Sequence, residues 1–374
     1  MNIVISPDSF KGSLTSTKAA VTIERAIQEI DSGYQTVIKP MADGGEGTLD
    51  AFISSSNSKR ISLTCTGPLG EKIDTNYAIT EQGVAIIELA SIAGLPQVPS
   101  TKRNPDLTTS FGLGEAMLDA MERDCTSIVI GLGGSATNDG GLGMLLALGM
   151  KAWDKKGKEV GPFGRDLLLI ENISCEDVDP RLATVNIRVA CDVDNPLCGL
   201  RGASSVYGPQ KGATKKQVQV YDQAMGKYAG KIEQLLGLQL QEVAGAGAAG
   251  GLGFAMLSIG ASLESGAKLL AESILLEETI KEADLVITGE GQSDEQTLYG
   301  KAPGYVAELA KKYHVPAILI SGSLSGDLDA LRTKFAGCFS IINRPLTIEE
   351  CMEKAEELLF EQTKQVIHFA RSLK

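Results

Sequence analysis

Short β-branched runs that end in glycine loops recur at both ends of this chain. Residues 2–6 read as a buried strand. The stretch after them places Ile23, Ala26, Ile27 and Ile30 on one face of an amphipathic helix. Residues 36–40 read as a second strand. The pattern returns at 284–288, 316–321 and 338–342, separated by helices such as 302–313. A capping box, Thr347-Ile-Glu-Glu350, opens a last helix on which Met352, Ala355, Leu359, Val366, Ala370 and Leu373 form a single stripe.

The middle of the chain is mixed. Strand candidates lie at 60–66, 73–79, 84–89, 126–131, 150–154 and 186–191. Helices fit 114–123, 141–148 and 215–236, the last with Gln and Lys along one side, as a solvent-facing helix would have. Strands alternating with helices predict parallel sheets covered on both faces. The expected fold class is therefore α/β with two α/β domains. A five-stranded, flavodoxin-like parallel-sheet domain is built from both chain ends (1–62 plus 283–374), and a second, mixed α/β domain (63–282) is inserted into it. Open α/β sheets bind ligands beyond the carboxyl ends of their strands, which puts the expected active site in a cleft between the two domains.

Composition narrows the function classes. At 374 residues the chain suggests about two domains, and 43% hydrophobic residues give ample core for a soluble globular protein. A net charge of −12 argues against a nucleic-acid surface. Seven cysteines contain no C-x-x-C pair and read as a reduced, intracellular set. The N-terminus has no basic region and meets Asp8, so no signal peptide is expected. No apolar run approaches the ~18 residues of a membrane span. These features together predict a cytoplasmic protein. The only two histidines, His314 and His368, stand outside the glycine loops. That argues against a histidine triad or a zinc site and leaves proton transfer to carboxylates or lysines.

The 42 glycines exceed the usual ~7%, and many fall in loops that also carry charged or hydroxyl side chains. Glycine lets backbone N–H groups approach a ligand closely. Acidic and basic side chains in the same loops suit phosphate groups with a divalent cation. In Asp8-Ser9-Phe-Lys11-Gly12, Lys11 is expected to neutralise a phosphate, and Asp8 to reach a metal or a substrate hydroxyl. Asp43 and Glu46 in Asp-Gly-Gly-Glu-Gly47, and Glu290 and Asp294 in Gly-Glu-Gly-x-x-Asp, are oxygen ligands that suit Mg²⁺. Gly133, Gly134, Ser135 and Asn138 form a loop running from a strand to a helix start, which favours an anion. Gly247 and Gly250 form another phosphate-cradle candidate. Lys211 in Gly-Pro-Gln-Lys-Gly and Lys301 after Gly300 are further cations for phosphate or carboxylate. Asp192 in Cys191-Asp-Val-Asp-Asn is the first candidate for a general base towards a substrate hydroxyl, with Asp194 or Asn195 aiding a metal or that hydroxyl.

Gly131–Ala136 also fits G-x-G-x-x-A, with Asp154 lying 23 residues past Gly131. This supports a rival reading as an NAD(P)-dependent hydroxy-acid oxidoreductase, although Asp139 at the helix start would repel a pyrophosphate. A non-catalytic sugar-acid sensor has neither a helix-turn-helix nor a basic face behind it. No Walker A sequence or protein-kinase loop set is present.

Taken together, the loops resemble those of the bacterial glycerate kinase family. The matching segments are Pro7–Ser13, Met41–Thr48, Gly67–Gly70, Thr108–Gly112, Gly133–Gly141, Cys191–Leu197, Gly208–Ala213, Gly245–Gly253 and Thr288–Gly291, in order along essentially the whole chain. The resemblance implies ATP- and Mg²⁺-dependent phosphorylation of D-glycerate, with 2-phosphoglycerate as the commoner product, in glyoxylate or sugar-acid catabolism. It also implies two α/β domains, one inserted into the other. D-glycerate and ATP are then the partners, with no nucleic acid or membrane, and a homodimer is left open. The chain departs from the family pattern at Gln292, where Arg is usual after Gly-Glu-Gly, and at Ser293, where an aliphatic residue is common.

Overall fold

The computed structural model describes residues 1–42, 44–45, 47–55 and 58–372. Asp43 and Glu46, both expected to bind metal, lie outside the described residues. Along the chain the strands are β1 (Asn2–Ile5), β2 (Gln35–Ile38), β3 (Ser58–Thr66), β4 (Lys72–Thr80), β5 (Val84–Glu88), β6 (Ser127–Gly131), β7 (Lys151–Trp153), β8 (Asn172–Ser174), β9 (Asn186–Ala190), β10 (Ser262–Glu264), β11 (Leu285–Thr288), β12 (Gln292–Ser293), β13 (Ala317–Ser321), β14 (Ser323–Leu324) and β15 (Gly337–Ser340).

Two compact units emerge. One comprises Met1–Asp43, Asp50–Asn57 and Ser265–Lys374, the other Gly44–Leu49 and Ser58–Glu264. These limits differ from those drawn on the sequence at 62 and 282. Strand β3 pairs with β4 from Ser58↔Thr80 to Thr66↔Lys72, which ties residues 58–62 to the larger unit. The helices Gly266–Ser273 and Leu276–Lys281 pack on the helix Ala302–Lys312 and so belong to the smaller one.

In the smaller unit five strands form one sheet in the order β15-β13-β11-β1-β2, every neighbour parallel. Its central strands are covered on both faces, which is why Leu285–Thr288 and Ala317–Ser321 are buried throughout instead of alternating. The helix Ser16–Ile30 starts where the Thr15 side chain accepts the Lys18 N–H, and it buries Ile23, Ala26 and Ile27. From β1 the chain moves outward to β2, and on its return it enters β11 on the opposite side of β1. The carboxyl ends of β1 and β11 therefore flank the topological switch point of the sheet, where such folds bind ligands.

The expected last helix is two helices. Thr347 and Glu350 make the predicted capping box, but the segment Ile348–Glu353 ends at Lys354 before Ala355–Ser372 begins. Ala355, Leu359 and Val366 are buried, whereas Met352 is 42% exposed. The break turns the Met352 methyl toward Gly12, where φ is +82° and a Cβ would stand 2.6 Å from it. Leu373 lies outside the described residues.

The larger unit has a six-stranded mixed sheet in the order β10-β9-β6-β5-β4-β3. Pairing is antiparallel from β3 through β5 and parallel from β5 through β10. Its core includes Tyr77, Ile87, Leu113, Ile130, Tyr221 and Phe254. The helix Lys215–Leu236 is less solvent-facing than its Gln and Lys content suggests, because Tyr221, Met225, Tyr228 and Ile232 form a buried stripe along it. The glycine run at 245–253 is only partly a loop. It enters the helix Ala248–Ser258 through Ala249, Gly250 and Gly251, all at positive φ. Among the described residues, no helix is long and apolar enough to cross a membrane.

Candidate active site

The loop leaving β1 begins on backbone bonds to its neighbour: Ser6 N–H donates to Ile287 O and Asp8 N–H to Gly289 O, each at 2.8 Å. Asp8 Oδ1 accepts the Ser9 N–H at 2.6 Å. Phe10 is buried in the core and pairs with Leu14 through two backbone hydrogen bonds, which leaves Lys11 exposed at the turn. Gly291, in the loop leaving β11, is packed so closely that a Cβ there would stand 3.1 Å from the backbone nitrogen of Lys11. Asp8, Ser9, Lys11 and Glu290 are thus brought together on the two adjoining loops of the switch point.

Glu290 is only 8% exposed and is held by three side chains. Its Oε1 accepts hydroxyl bonds from Ser293 (3.0 Å) and Thr297 (2.7 Å), and Oε2 lies 3.6 Å from Lys301 Nζ. Ser293 Oγ is also 2.7 Å from Ser321 Oγ at the end of β13. The departure from the family pattern at Ser293 therefore supplies one of the hydroxyls on Glu290, and the exposed Gln292 reaches Ser325. Asp294 has a structural task. It caps the turn Glu295–Leu298, accepting the Gln296 N–H while its own N–H donates to Thr297. Among the described residues, no group of three His, Cys, Asp or Glu is gathered as a metal cage.

In the larger unit, Gly133 and Gly134 follow β6, and Gly133 N–H donates to Gly44 O at 3.0 Å. A Cβ on Gly133 would overlap Gly45, so the glycine is needed for this close approach. Asn138 is buried, with its amide donating to Ser204 and its Oδ1 unpaired. Gly250 packs on Thr137 and Asn138, and Gly247 on Pro196, with Gly247 N–H donating to Asn195 O. Both glycines are buried against backbone.

Lys211 is 2% exposed, and its Nζ donates to Ser135 Oγ (2.7 Å) and Thr137 O (2.6 Å). Burial lowers its pKa to about 7, and the charge of Asp139 offsets part of that shift. The folded protein therefore binds fewer protons than the unfolded chain between about pH 7 and the ordinary lysine range, and stability rises with pH across that window. Lys211→Met abolishes this titration. The melting temperature of the variant relative to wild type is expected to fall between about pH 6 and pH 9. A constant difference would show that the ammonium keeps an ordinary proton affinity.

Asp139 is a buried helix cap. Its oxygens accept the Ser110 N–H and Oγ–H and the Gly141 and Gly143 N–H groups. These donors lie at the starts of the helices Phe111–Glu122 and Leu142–Ala147, where a negative charge is favoured. Burial pushes its carboxyl up, against the pull of those four hydrogen bonds. The rival dinucleotide reading fails at this loop. A carboxylate already fills the helix start, and Asp154 closes a surface turn by accepting the N–H groups of Lys156 and Lys158 beyond the short β7–β8 ladder.

Asp192 follows β9 and is exposed, while Asp194 pairs with Arg201 at 2.9 Å on the surface and Asn195 accepts the Tyr207 hydroxyl at 2.6 Å. One functional candidate has no counterpart in the sequence reading. Glu88, at the end of β5 and 6% exposed, accepts the Gly47 N–H (3.2 Å) and the Leu49 N–H (2.9 Å), fixing the start of the helix Thr48–Ser55. Its only sequence signal is an acid closing an apolar strand.

Strand-end glycine loops with lysines and carboxylates, but no Walker A sequence, are the parts of an α/β phosphotransferase from outside the P-loop lineage. A family model described as the glycerate kinase family matches residues 3–371. Glycerate 2-kinase of Escherichia coli (strain K12) is 44% identical over 369 residues, which cover 98% of this chain and 97% of that protein. Glycerate kinase of Bacillus subtilis (strain 168) is 43% identical over 362 residues, covering 96% and 95%. A crystal structure from Salmonella typhimurium LT2, of a protein provisionally called glycerate kinase 2, is 40% identical with a TM-score of 0.89, and it spans 100% of this chain and 98% of that one. The chain belongs to the glycerate kinase family.

Proposed function

We propose that this enzyme transfers the γ-phosphoryl group of ATP to D-glycerate with Mg²⁺, at the 2-hydroxyl, and that it serves glyoxylate or sugar-acid catabolism in the cytoplasm. The observation that carries the reading is the switch point of the smaller unit, where Asp8, Ser9 and Lys11 adjoin Glu290 and Lys301. In phosphoryl transfer the charge spreads over the transferring oxygens, so catalysis is mostly positioning and electrostatic stabilisation. Lys11, exposed on its turn, and Lys301, loosely paired with Glu290, are the cations for that charge. Magnesium takes few protein carboxylates and fills its shell with phosphate oxygens and water, neutralising their charge. Glu290 fits such a role, because hydroxyls hold Oε1 while Oε2 faces the loose contact with Lys301. Asp43, Glu46 and Asp294 complete the proposed carboxylate set.

In the larger unit, Gly133, Gly134, Ser135 and Asn138 are proposed to take an anionic group of nucleotide or substrate, and Gly247 and Gly250 are proposed as a second phosphate cradle. Asp192 is proposed to accept the hydroxyl proton. Asp192→Asn is expected to lower kcat by about 100-fold or more with little change in KM, and near-normal turnover would remove Asp192 from the role. The reading as a whole is tested by ADP release from Mg·ATP with and without D-glycerate. Coupling through enolase, which accepts 2- but not 3-phosphoglycerate, reports the position. No glycerate-dependent ADP would refute the activity, and ADP without enolase turnover would move the phosphate to the 3-hydroxyl.

A further inference from the structure

Lys211 sits where stability alone would not put a lysine. Removing an ammonium from water is costly, and here it meets only neutral acceptors, a hydroxyl and a carbonyl. The charge acting on it is that of Asp139, whose oxygens are committed to Ser110, Gly141 and Gly143, while Nζ donates to Ser135 and Thr137. A methionine would fill similar volume without that cost.

What the ammonium accomplishes is geometric. Its two acceptors, Ser135 Oγ and Thr137 O, flank Ala136 on the anion-loop candidate. The same loop is held elsewhere by Gly133 N–H to Gly44 O, Leu95 N–H to Gly134 O and Ala136 N–H to Ala93 O. Those bonds fix the loop's backbone at Gly133, Gly134 and Ala136, and among the described residues Lys211 ties the Ser135 hydroxyl and the Thr137 carbonyl to one point. Its own seat is rigid. The turn Pro209–Lys211 ends in Gly212 at φ +87°, where any Cβ would overlap the Arg103 carbonyl.

We infer that Lys211 is a positioning residue that sets the conformation of the Gly133–Asn138 loop through Ser135 and Thr137, rather than a direct ligand of the substrate or nucleotide. The inference rests on the phosphotransfer reading given above. It is tested by steady-state kinetics of wild type, Lys211→Met, Lys211→Gln, Ser135→Ala and the Lys211→Met/Ser135→Ala double variant, with wild type assayed in parallel. Lys211→Met is expected to keep its fold and lose about 10- to 100-fold in kcat/KM. Lys211→Gln, which still donates N–H bonds but carries no charge, should recover part of that loss. Ser135→Ala should cost little more in the Lys211→Met background than that background already costs. Independent, multiplying losses, or a Lys211→Gln variant as poor as Lys211→Met, would make the ammonium a direct ligand and overturn the inference. Unchanged kinetics in Lys211→Met would overturn it too. If Lys211→Met does not fold, Ser135→Ala and Lys211→Gln decide: the expected result is a modest loss in each, and wild-type kinetics in both would overturn the inference. A wild type without glycerate-dependent ADP release would instead sink the phosphotransfer reading.

Discussion

Glu290→Gln is expected to lower kcat by roughly 100- to 1000-fold while leaving the melting temperature nearly unchanged. Glutamine keeps a carbonyl oxygen where Oε1 now accepts the Ser293 and Thr297 hydroxyls, so the local scaffold persists. What it removes is the negative charge facing Lys301 at 3.6 Å, and with it the carboxylate proposed to hold the cation of the nucleotide. Steady-state ADP release at saturating substrate measures the effect, and thermal denaturation checks the fold. A variant within threefold of wild-type kcat would mean that Glu290 is a structural acid anchoring its own loop.

Gly250→Ala tests the other half of the account through stability. At φ +75° an added Cβ is strained by about 1 kcal/mol or more, and it would overlap the Thr137 carbonyl oxygen beside Asn138. Overpacking against backbone costs about 1–3 kcal/mol, so the variant is expected to lose roughly 2–4 kcal/mol in urea denaturation. The change should also move the Thr137 carbonyl that Lys211 grips, and activity should fall further than the loss of stability explains. Wild-type stability would show that the two backbones can separate cheaply and that packing does not account for the glycine.

The parallel sheet of the smaller unit was the most legible part of the fold, because its central strands β11 and β13 are buried throughout and each ends in a glycine loop. Leu285–Thr288 and Ala317–Ser321 differ from the expected limits by a single residue at one end. Short edge pieces were not legible. Strand β10 has three residues and is defined by its parallel pairing with β9, which is remote in sequence. The Ala248–Ser258 helix was hidden because its glycines serve close packing, and local propensity counts them as loop formers. The break at Lys354 falls inside an uninterrupted helical pattern with no glycine or proline to mark it.

The site was legible as residue types and less so as roles. The Asp8–Gly12 and Glu290–Asp294 loops stood out as glycine loops with charged side chains, and the strand order makes them neighbours. That Asp294 caps a turn, that Lys211 is buried on two neutral acceptors, and that Glu88 reaches N–H groups some forty positions earlier in the chain all depend on tertiary contacts. No local pattern reports such contacts. The glycines at 247 and 250, which the sequence presents as a phosphate cradle, also let two backbones touch, and that packing has no local signal.

The most direct test of the central claim is amide hydrogen exchange of the wild-type enzyme with and without D-glycerate and a non-hydrolysable Mg·ATP analogue. Slower exchange within 6–12 and 288–293, the loops at the switch point of the parallel sheet, is the predicted result. Protection confined to other segments, with both of these loops unchanged, would contradict it.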